Sequence, residues 1–350
     1  MTYRVILLAL SFFLALSTGC GLYLYGLWHQ AITIEESPTI ITIHSGESLR
    51  QVLSRAEAQG WLTDAGWVGR LARWQGLDQK IQVGEFRVNT GITVGQMIEH
   101  LATGQAVQYQ VTIPEGVTAQ AAIALLGKHP KLTKTSPERL SVELAAWVVP
   151  ANSAEGWFLP ETWSFVAGDT DIDILQRAHT AMRALLTDLW DSRDSSIPLA
   201  TPYEALILAS IVERETAEPF ERRQIAGVFL RRLTRGMRLQ TDPTVIYGLG
   251  DAYTGNLRRT HLRDTQNLYN TYVIKGLPPT PIALPGEAAL RAVFHPDDSN
   301  ALYFVAKGDG THAFSATLDE HEENVRRYQL TRRGDYRSTP DRSPPEQERR

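Results

Sequence analysis

The segment YEALILASIVERETAEPFERRQIAGVFLRRL, Tyr203–Leu233, carries Glu213 inside an otherwise apolar run. An ionised carboxylate buried without a partner costs on the order of several kcal/mol, comparable with the net stability of a domain. Such a group is paired, or it holds a proton, because desolvation raises a carboxyl pKa by up to ~3–5 units on full burial. A glutamic acid still protonated near neutral pH is what a general acid requires. The competing reading is a structural ion pair with Arg222 or Arg223 of the following helix. On helical geometry Leu206, Ala209, Ser210, Thr216 and Ala217 share the Glu213 face. That stripe of small residues leaves room for a ligand or for a facing helix. Glu215 points away from it, to a side where a charge is solvated or paired.

Two further clusters could hold what such an acid acts on. GMRLQTDPTVIYGLG, Gly236–Gly250, places Gln240, Thr241, Asp242 and Thr244 around an Asp-Pro turn signal. That density suits a ligand-binding loop, or a turn satisfied by its own Asx bonds. NLYNTY, from Asn267, adds Tyr269 and Asn270 in a second polar–aromatic patch. EGWFLPETW, Glu155–Trp163, crowds aromatics beside carboxylates, as a sugar-stacking surface or as a buried aromatic loop.

The elements that must position these residues are legible in part. Thr201, Pro202 and Glu204 form the start of the Glu213 helix, with a capping box from Thr201 to Glu204. Pro219 marks a second start, so the first helix ends near Thr216–Glu218. This helix is apolar nearly all round and is expected to be buried. Prolines 278, 279, 281 and 285 set an extended path, after which Gly286 and Glu287 open a helix. Leu302–Ala306 and His312–Phe314 read as a hairpin turned at Gly308–Gly310, with a helix after it. Nearer the N-terminus, ITIHSGES from Ile41 predicts strand, turn and helix with Ser48 as N-cap. VTIPEGVT from Val111 repeats it, Gly46 matching Gly116 and Ser48 matching Thr118. Between the two, Ile81–Gln105 predicts a strand, a turn and a helix capped by Thr93.

The bulk properties bound the class. The 350 residues allow about two domains, and a net charge of -4 gives no reason to propose a nucleic-acid partner. One cysteine excludes an internal disulfide framework, and the nine histidines show no ligand spacing, so no metal or cofactor is expected. The uncharged run Val5–Trp28 is long enough to cross a bilayer, which takes ~20 apolar residues. Arg4 before it and Glu35 and Glu36 after it put the N-terminus in the cytoplasm and the body outside; Tyr23, Tyr25 and Trp28 mark the outer interface. A cleaved signal, or a lipoprotein signal at Cys20 in STGC, are the alternatives. Residues 29–40 read as a polar linker, and the Pro- and charge-rich tail 331–350 as disordered.

Several motifs together resemble the endolytic murein transglycosylases, the MltG/YceG-like family. They are ASIVERE at Ala209–Glu215, GMRLQTDPTVIYG at Gly236–Gly248, YNTY at Tyr269–Tyr272, GLPPTPIALPG at Gly276–Gly286, His295-Pro296, and LYFVAKGDGTHAF at Leu302–Phe314. Thr280, Arg231 and Glu322 depart from the family pattern, which often has Gly, Asn and Asn there. The resemblance implies an α+β protein: residues 1–4 cytoplasmic, a transmembrane helix at 5–28, a LysM-like βα module at 41–110, and a mixed α/β catalytic domain at 111–330, of which 111–150 is a connecting subdomain. It implies a single-pass enzyme of the inner membrane, its catalytic part periplasmic, that cuts peptidoglycan glycan strands internally and leaves 1,6-anhydro ends, limiting nascent strand length. It places the essential glutamate on Glu213 and implies peptidoglycan synthases as partners. Gln240, Thr241, Asp242, Tyr269 and Asn270 are the expected substrate-binding residues. A non-catalytic, membrane-tethered glycan-binding scaffold is the rival function.

Overall fold

The computed structural model describes residues 2–147 and 153–330; the tail expected to be disordered lies outside them. The chain forms two compact units. The first comprises Met1–Gln110, Pro130–Thr133 and Ser164–Thr170, and the second comprises Val111–His129, Lys134–Trp163 and the chain from Asp171 onward.

Unit 1 opens with α1, Thr2–His29, the one helix among the described residues long and apolar enough to cross a membrane. Strand β1, Thr39–Ile43, is followed by α2, Leu49–Ala58, α3, Ala65–Trp74, β2, Gly84–Val88, and α4, Val94–Thr103. β1 and β2 pair antiparallel, with Ile41 opposite Phe86 and Thr39 opposite Val88. Alternate side chains Ile41, Ile43, Phe86 and Val88 thus meet the apolar faces of the helices in one core. The expected N-caps are in place: Thr93 and Gln96 close a capping box on α4, whereas on α2 Gln51 accepts the Ser48 N–H and hydroxyl but the Ser48 hydroxyl takes no helix N–H. The stretch 29–40 is not a free linker. Ile32 and Ile34 are buried in the unit 1 core, and Ile32 exchanges backbone bonds with Ile92 and Gly91. Two isoleucines at strand spacing outweigh the polar residues between them.

The chain passes from one unit to the other within β3, Gln108–Thr112. Gly46 and Gly116 occupy the same left-handed turn (φ 78° and 73°), so the strand–turn–helix pattern is repeated in conformation as well as in sequence. Thr118 then caps α5, Ala119–Leu126. α6, Pro137–Trp147, and β4, Thr162–Val166, follow, β4 pairing with β3.

Unit 2 is built around a central helix. After α7, Asp171–Asp191, comes α8, Pro202–Glu215, buried from Ala205 through Glu213. Helices α9, Arg222–Thr234, α10, Asp242–Leu249, and α12, Glu287–Phe294, pack against α8, while α11 is a single turn, Arg259–Leu262. The hairpin β5, Tyr303–Ala306, with β6, His312–Ser315, and then α13, Leu318–Val325, complete the unit. Two local expectations change. The Thr201 hydroxyl accepts the Glu204 N–H as expected, but the Glu204 carboxylate accepts from Ala200, one residue short of a closed capping box. Asp242-Pro243 starts a helix instead of a turn: Thr241 is extended at the N-cap and the proline sits in the first turn, where its missing N–H costs no helical bond.

Candidate active site

The small-residue stripe of α8 is covered by the chain itself. Pro281–Gly286, non-helical and buried, runs across it. Ser210 Oγ donates to Ile207 O and accepts the Ile282 N–H at 2.9 Å. Leu284 exchanges backbone bonds with Gly116 and Val117. Glu213, 1% exposed, accepts the Gly286 N–H at 3.2 Å through Oε2. Gly286 is the N-cap of α12, so the carboxyl sits at the positive end of that helix. The room beside Glu213 is therefore taken by protein. Arg222 lies 3.9 Å from Glu115, and Arg223 donates to the carbonyls of His295 and Pro296.

Glu215, two residues on, has a different setting. It ends α8, where the helix dipole disfavours an anion. It is half-buried and faces the N-terminus of α10, where the Thr241 hydroxyl donates to its Oε1. Burial pushes its pKa up to about 6; the Thr241 hydrogen bond, His312 and Arg232 oppose the rise, and the neighbouring Asp242 carboxylate adds to it. Asp242 is exposed and accepts the Tyr272 hydroxyl proton at 2.7 Å. Burial and Asp242 together hold the Tyr272 phenol protonated, far above its ordinary range.

Buried polar groups fix this arrangement from behind. Glu221, 1% exposed, accepts both the backbone N–H and the Nδ1 of His312, each at 2.7 Å, and the Thr216 hydroxyl at 3.2 Å. One carboxylate thus ties the end of α8, the start of α9 and strand β6 together. Arg232, buried on α9, donates to the carbonyls of Leu302, Leu239 and Arg238. It thereby holds the turn in which Gln240 takes a left-handed conformation (φ 54°), which is costly for a non-glycine residue. Burial lowers the Arg232 pKa, and the fields of Tyr303, Tyr272 and Glu215 resist that.

Residues 41–327 match the YceG-like family. This chain is a member of that family. An endolytic murein transglycosylase of Bacillus subtilis is 28% identical over 330 residues, covering 88% of this chain and 90% of that protein. The one of Streptococcus pneumoniae D39 is 29% identical over 232 residues, 62% of this chain but only 40% of its own length. A crystal structure of a yceG-like protein from Listeria monocytogenes superposes with a TM-score of 0.50 at 26% identity, over 81% of this chain and 98% of that one.

In this YceG-like chain the expected substrate residues separate into two groups. Gln240 and Asp242 are exposed at the rim around Glu215, with Thr241 buried between them and bonded to it. Thr241 also receives the Thr244 hydroxyl on its carbonyl, and its N–H goes to Thr271. Asn270 is fully buried; its amide donates to the carbonyls of His261 and Asp264 and its oxygen accepts from Tyr272 N–H. It shapes the loop and has no donor left for a substrate. Tyr269 is half-buried, its ring edge-on to Tyr247 and its hydroxyl bonded to Thr280. Behind it Tyr247 donates to the buried Glu155, whose other oxygen accepts the Ala119 N–H at 2.8 Å. The Glu155–Trp163 loop is thus largely internal: Phe158 is buried, and Trp157 packs on the unit 2 core. Glu221, His312 and Arg232 were not singled out in the sequence, and Glu215 was read there as a solvated or paired charge. The available signal was the second carboxylate of ASIVERE, on the face of α8 opposite the small-residue stripe.

Proposed function

We propose that this chain is an endolytic lytic transglycosylase of peptidoglycan, the activity named for its Bacillus and pneumococcal relatives, and that Glu215 is its acid and base. The observation that carries the assignment is a largely buried carboxyl at the edge of the surface, its pKa pushed up to about 6 by burial, bonded to Thr241 and rimmed by exposed Gln240 and Asp242. Glu213, the acid expected from the sequence, is closed off beneath Pro281–Gly286 and acts as the acceptor that seats α12. In the reaction Glu215 gives its proton to the oxygen joining C1 of N-acetylmuramic acid to N-acetylglucosamine, and the C1–O bond breaks. The resulting carboxylate takes the proton of the muramic C6 hydroxyl as O6 bonds to C1. The products are a 1,6-anhydro end and a new N-acetylglucosamine hydroxyl; no water is consumed and Glu215 regains its proton. One carboxyl serves both steps because the nucleophile belongs to the sugar, unlike the paired carboxylates of hydrolysing glycosidases. Gln240 and Asp242 are the rim groups that meet the strand.

On the same reading α1 anchors the chain, unit 1 carries the LysM-like module, and cleavage outside the cytoplasmic membrane limits strands made by peptidoglycan synthases. Digestion of glycan strands by the full chain in detergent, with mass spectrometry of the ends, tests it. Anhydro ends are the expected result. Reducing ends would make it a hydrolase, and binding without cleavage a scaffold.

The protonated form of Glu215 is the reactive one, so kcat/KM is expected to fall as pH rises through about 6. Asp242→Asn removes a negative neighbour, lowers the Glu215 pKa and moves this limb to lower pH, while keeping an acceptor for Tyr272. The linked stability has the same sign. A folded-state pKa above the unfolded value of roughly 4.3 means the folded state binds the extra proton, so stability declines as pH rises from there to about 6. Chemical denaturation across that window, with Glu215→Gln as the flat reference, measures it.

A further inference from the structure

The outer face of α3 is unexplained by the site. Its inner face, Ala65, Val68 and Ala72, is buried in the unit 1 core. The outer face leaves Trp67 44% and Trp74 85% exposed, with the Arg70 guanidinium 4.5 Å from the Trp67 ring centre. These residues recur at i, i+3 and i+7, one side of a helix. We propose that Trp67, Arg70 and Trp74 form a docking surface for phospholipid headgroups, seating unit 1 on the anionic bilayer that α1 crosses. The proposal rests on the reading of α1 as an uncleaved anchor.

The end of α1 sets the depth. Leu27 is buried in the unit 1 core, and Leu24 and Trp28 pack against it. A Cβ on Gly95 would lie 2.2 Å from the Trp28 indole nitrogen, so α4 needs glycine there to accept the ring. One face of the last turns of α1 is thus packed into unit 1, while Tyr25 on the other face stays exposed. The apolar stretch left over, Val5 to Tyr23, is about 28 Å long at ~1.5 Å per residue, against roughly 30 Å for the hydrocarbon layer. Tyr23 therefore stands at the outer hydrocarbon boundary. Its hydroxyl donates to Asp64 Oδ2 at 2.5 Å, and Asp64 is the N-cap of α3. The first turn of α3 is consequently held at headgroup level, with Trp67 one turn in. Indole rings favour that layer, and a guanidinium there meets lipid phosphate with matched, bidentate geometry. Arg73, on the same helix, lies 3.0 Å from Asp78 and is already compensated. The same face in water would leave two large aromatic surfaces exposed on a ten-residue helix.

Spin labels on the full-length chain test this in a Cys20→Ser background, since Cys20 is the one native cysteine. Labels are placed at Phe13 in the anchor, at Gly66 and Gln75 flanking the α3 face, and at exposed His44 as an aqueous control. A Cβ on Gly66 meets nothing within 4 Å, so a cysteine fits there. Accessibility to oxygen and to a water-soluble nickel complex is read in phosphatidylcholine–phosphatidylglycerol nanodiscs. Expected is a label at 13 that nickel does not reach, severalfold lower nickel access at 66 and 75 than at 44, and recovery of that access in Trp67→Ala/Trp74→Ala and in Arg70→Glu. A shielded label at 13 with labels at 66 and 75 as open as that at 44 would overturn the docking surface and leave the anchor standing. Shielding at 66 and 75 that survives the substitutions overturns the role of these side chains. A label at 13 open to nickel overturns the anchor reading itself.

Discussion

Glu215→Gln is expected to slow release of anhydro-ended fragments by about 10²–10⁴-fold, the usual worth of a positioned acid–base group. Glutamine keeps the shape and can still accept from Thr241, so the change removes the transferable proton and little else. Thermal unfolding of the variant should match the parent at about pH 4 and exceed it modestly near neutral pH, where the parent bears the cost of a buried charge, so lost cleavage is separated from lost fold. Glu213→Gln is the necessary comparison. Its amide oxygen can still accept the Gly286 N–H, so cleavage should stay within a few fold of the parent while stability changes modestly. The reverse pattern, an inactive but folded Glu213→Gln beside an active Glu215→Gln, would return the acid to Glu213. Two carboxyls two residues apart on one helix therefore give opposite forecasts from a single assay of end groups.

Glu221→Ala should be the most damaging change to unit 2 outside its apolar core. The carboxylate satisfies three donors in a site with no access for water, and His312 Nδ1, His312 N–H and Thr216 Oγ1 all lose their acceptor together. Breaking a buried pair from one side costs about 3–5 kcal/mol. For a unit of this size that corresponds to a fall in Tm of roughly 6–20 °C. Glu221→Gln retains one acceptor oxygen and should recover part of the loss. Calorimetry of both variants at one pH checks the order. A Glu221→Ala protein melting with the parent would show that the hairpin and the end of α8 are held independently of this group. Cleavage by Glu221→Gln should also weaken, since Thr216 adjoins Glu215 and moves with it.

Much of the local structure was readable residue by residue. Thr93, Thr118 and Thr201 cap the helices expected of them, because a short hydroxyl side chain meeting a free N–H is settled within four residues; Ser48 is the N-cap of α2 by position, its hydroxyl donating to Gln51. The β5–β6 hairpin and the Gly286 start of α12 were equally local. Helices α6 and α7 were not among the expected elements although both are punctuated, Ser136 accepting the Arg139 N–H just before Pro137 and two aspartates, Asp171 and Asp173, opening α7; Asp242-Pro243 was ambiguous because the same pair opens turns and helices.

The sequence by itself determined that α8 is buried, that its two carboxylates lie on different faces, and that the family's motifs come in this order. Those facts follow from periodicity and composition along one chain. Which carboxylate is covered was decided only in three dimensions. The stripe beside Glu213 looked like open space because small side chains do not say what approaches them; the approaching backbone, Pro281–Gly286, lies about seventy residues downstream. Glu215 looked like an ordinary solvated charge because its neighbours, Thr241, Arg232 and His312, arrive from three separate elements. A helical wheel gives direction, but desolvation depends on every atom that packs against the wheel. That sum is set by tertiary structure alone.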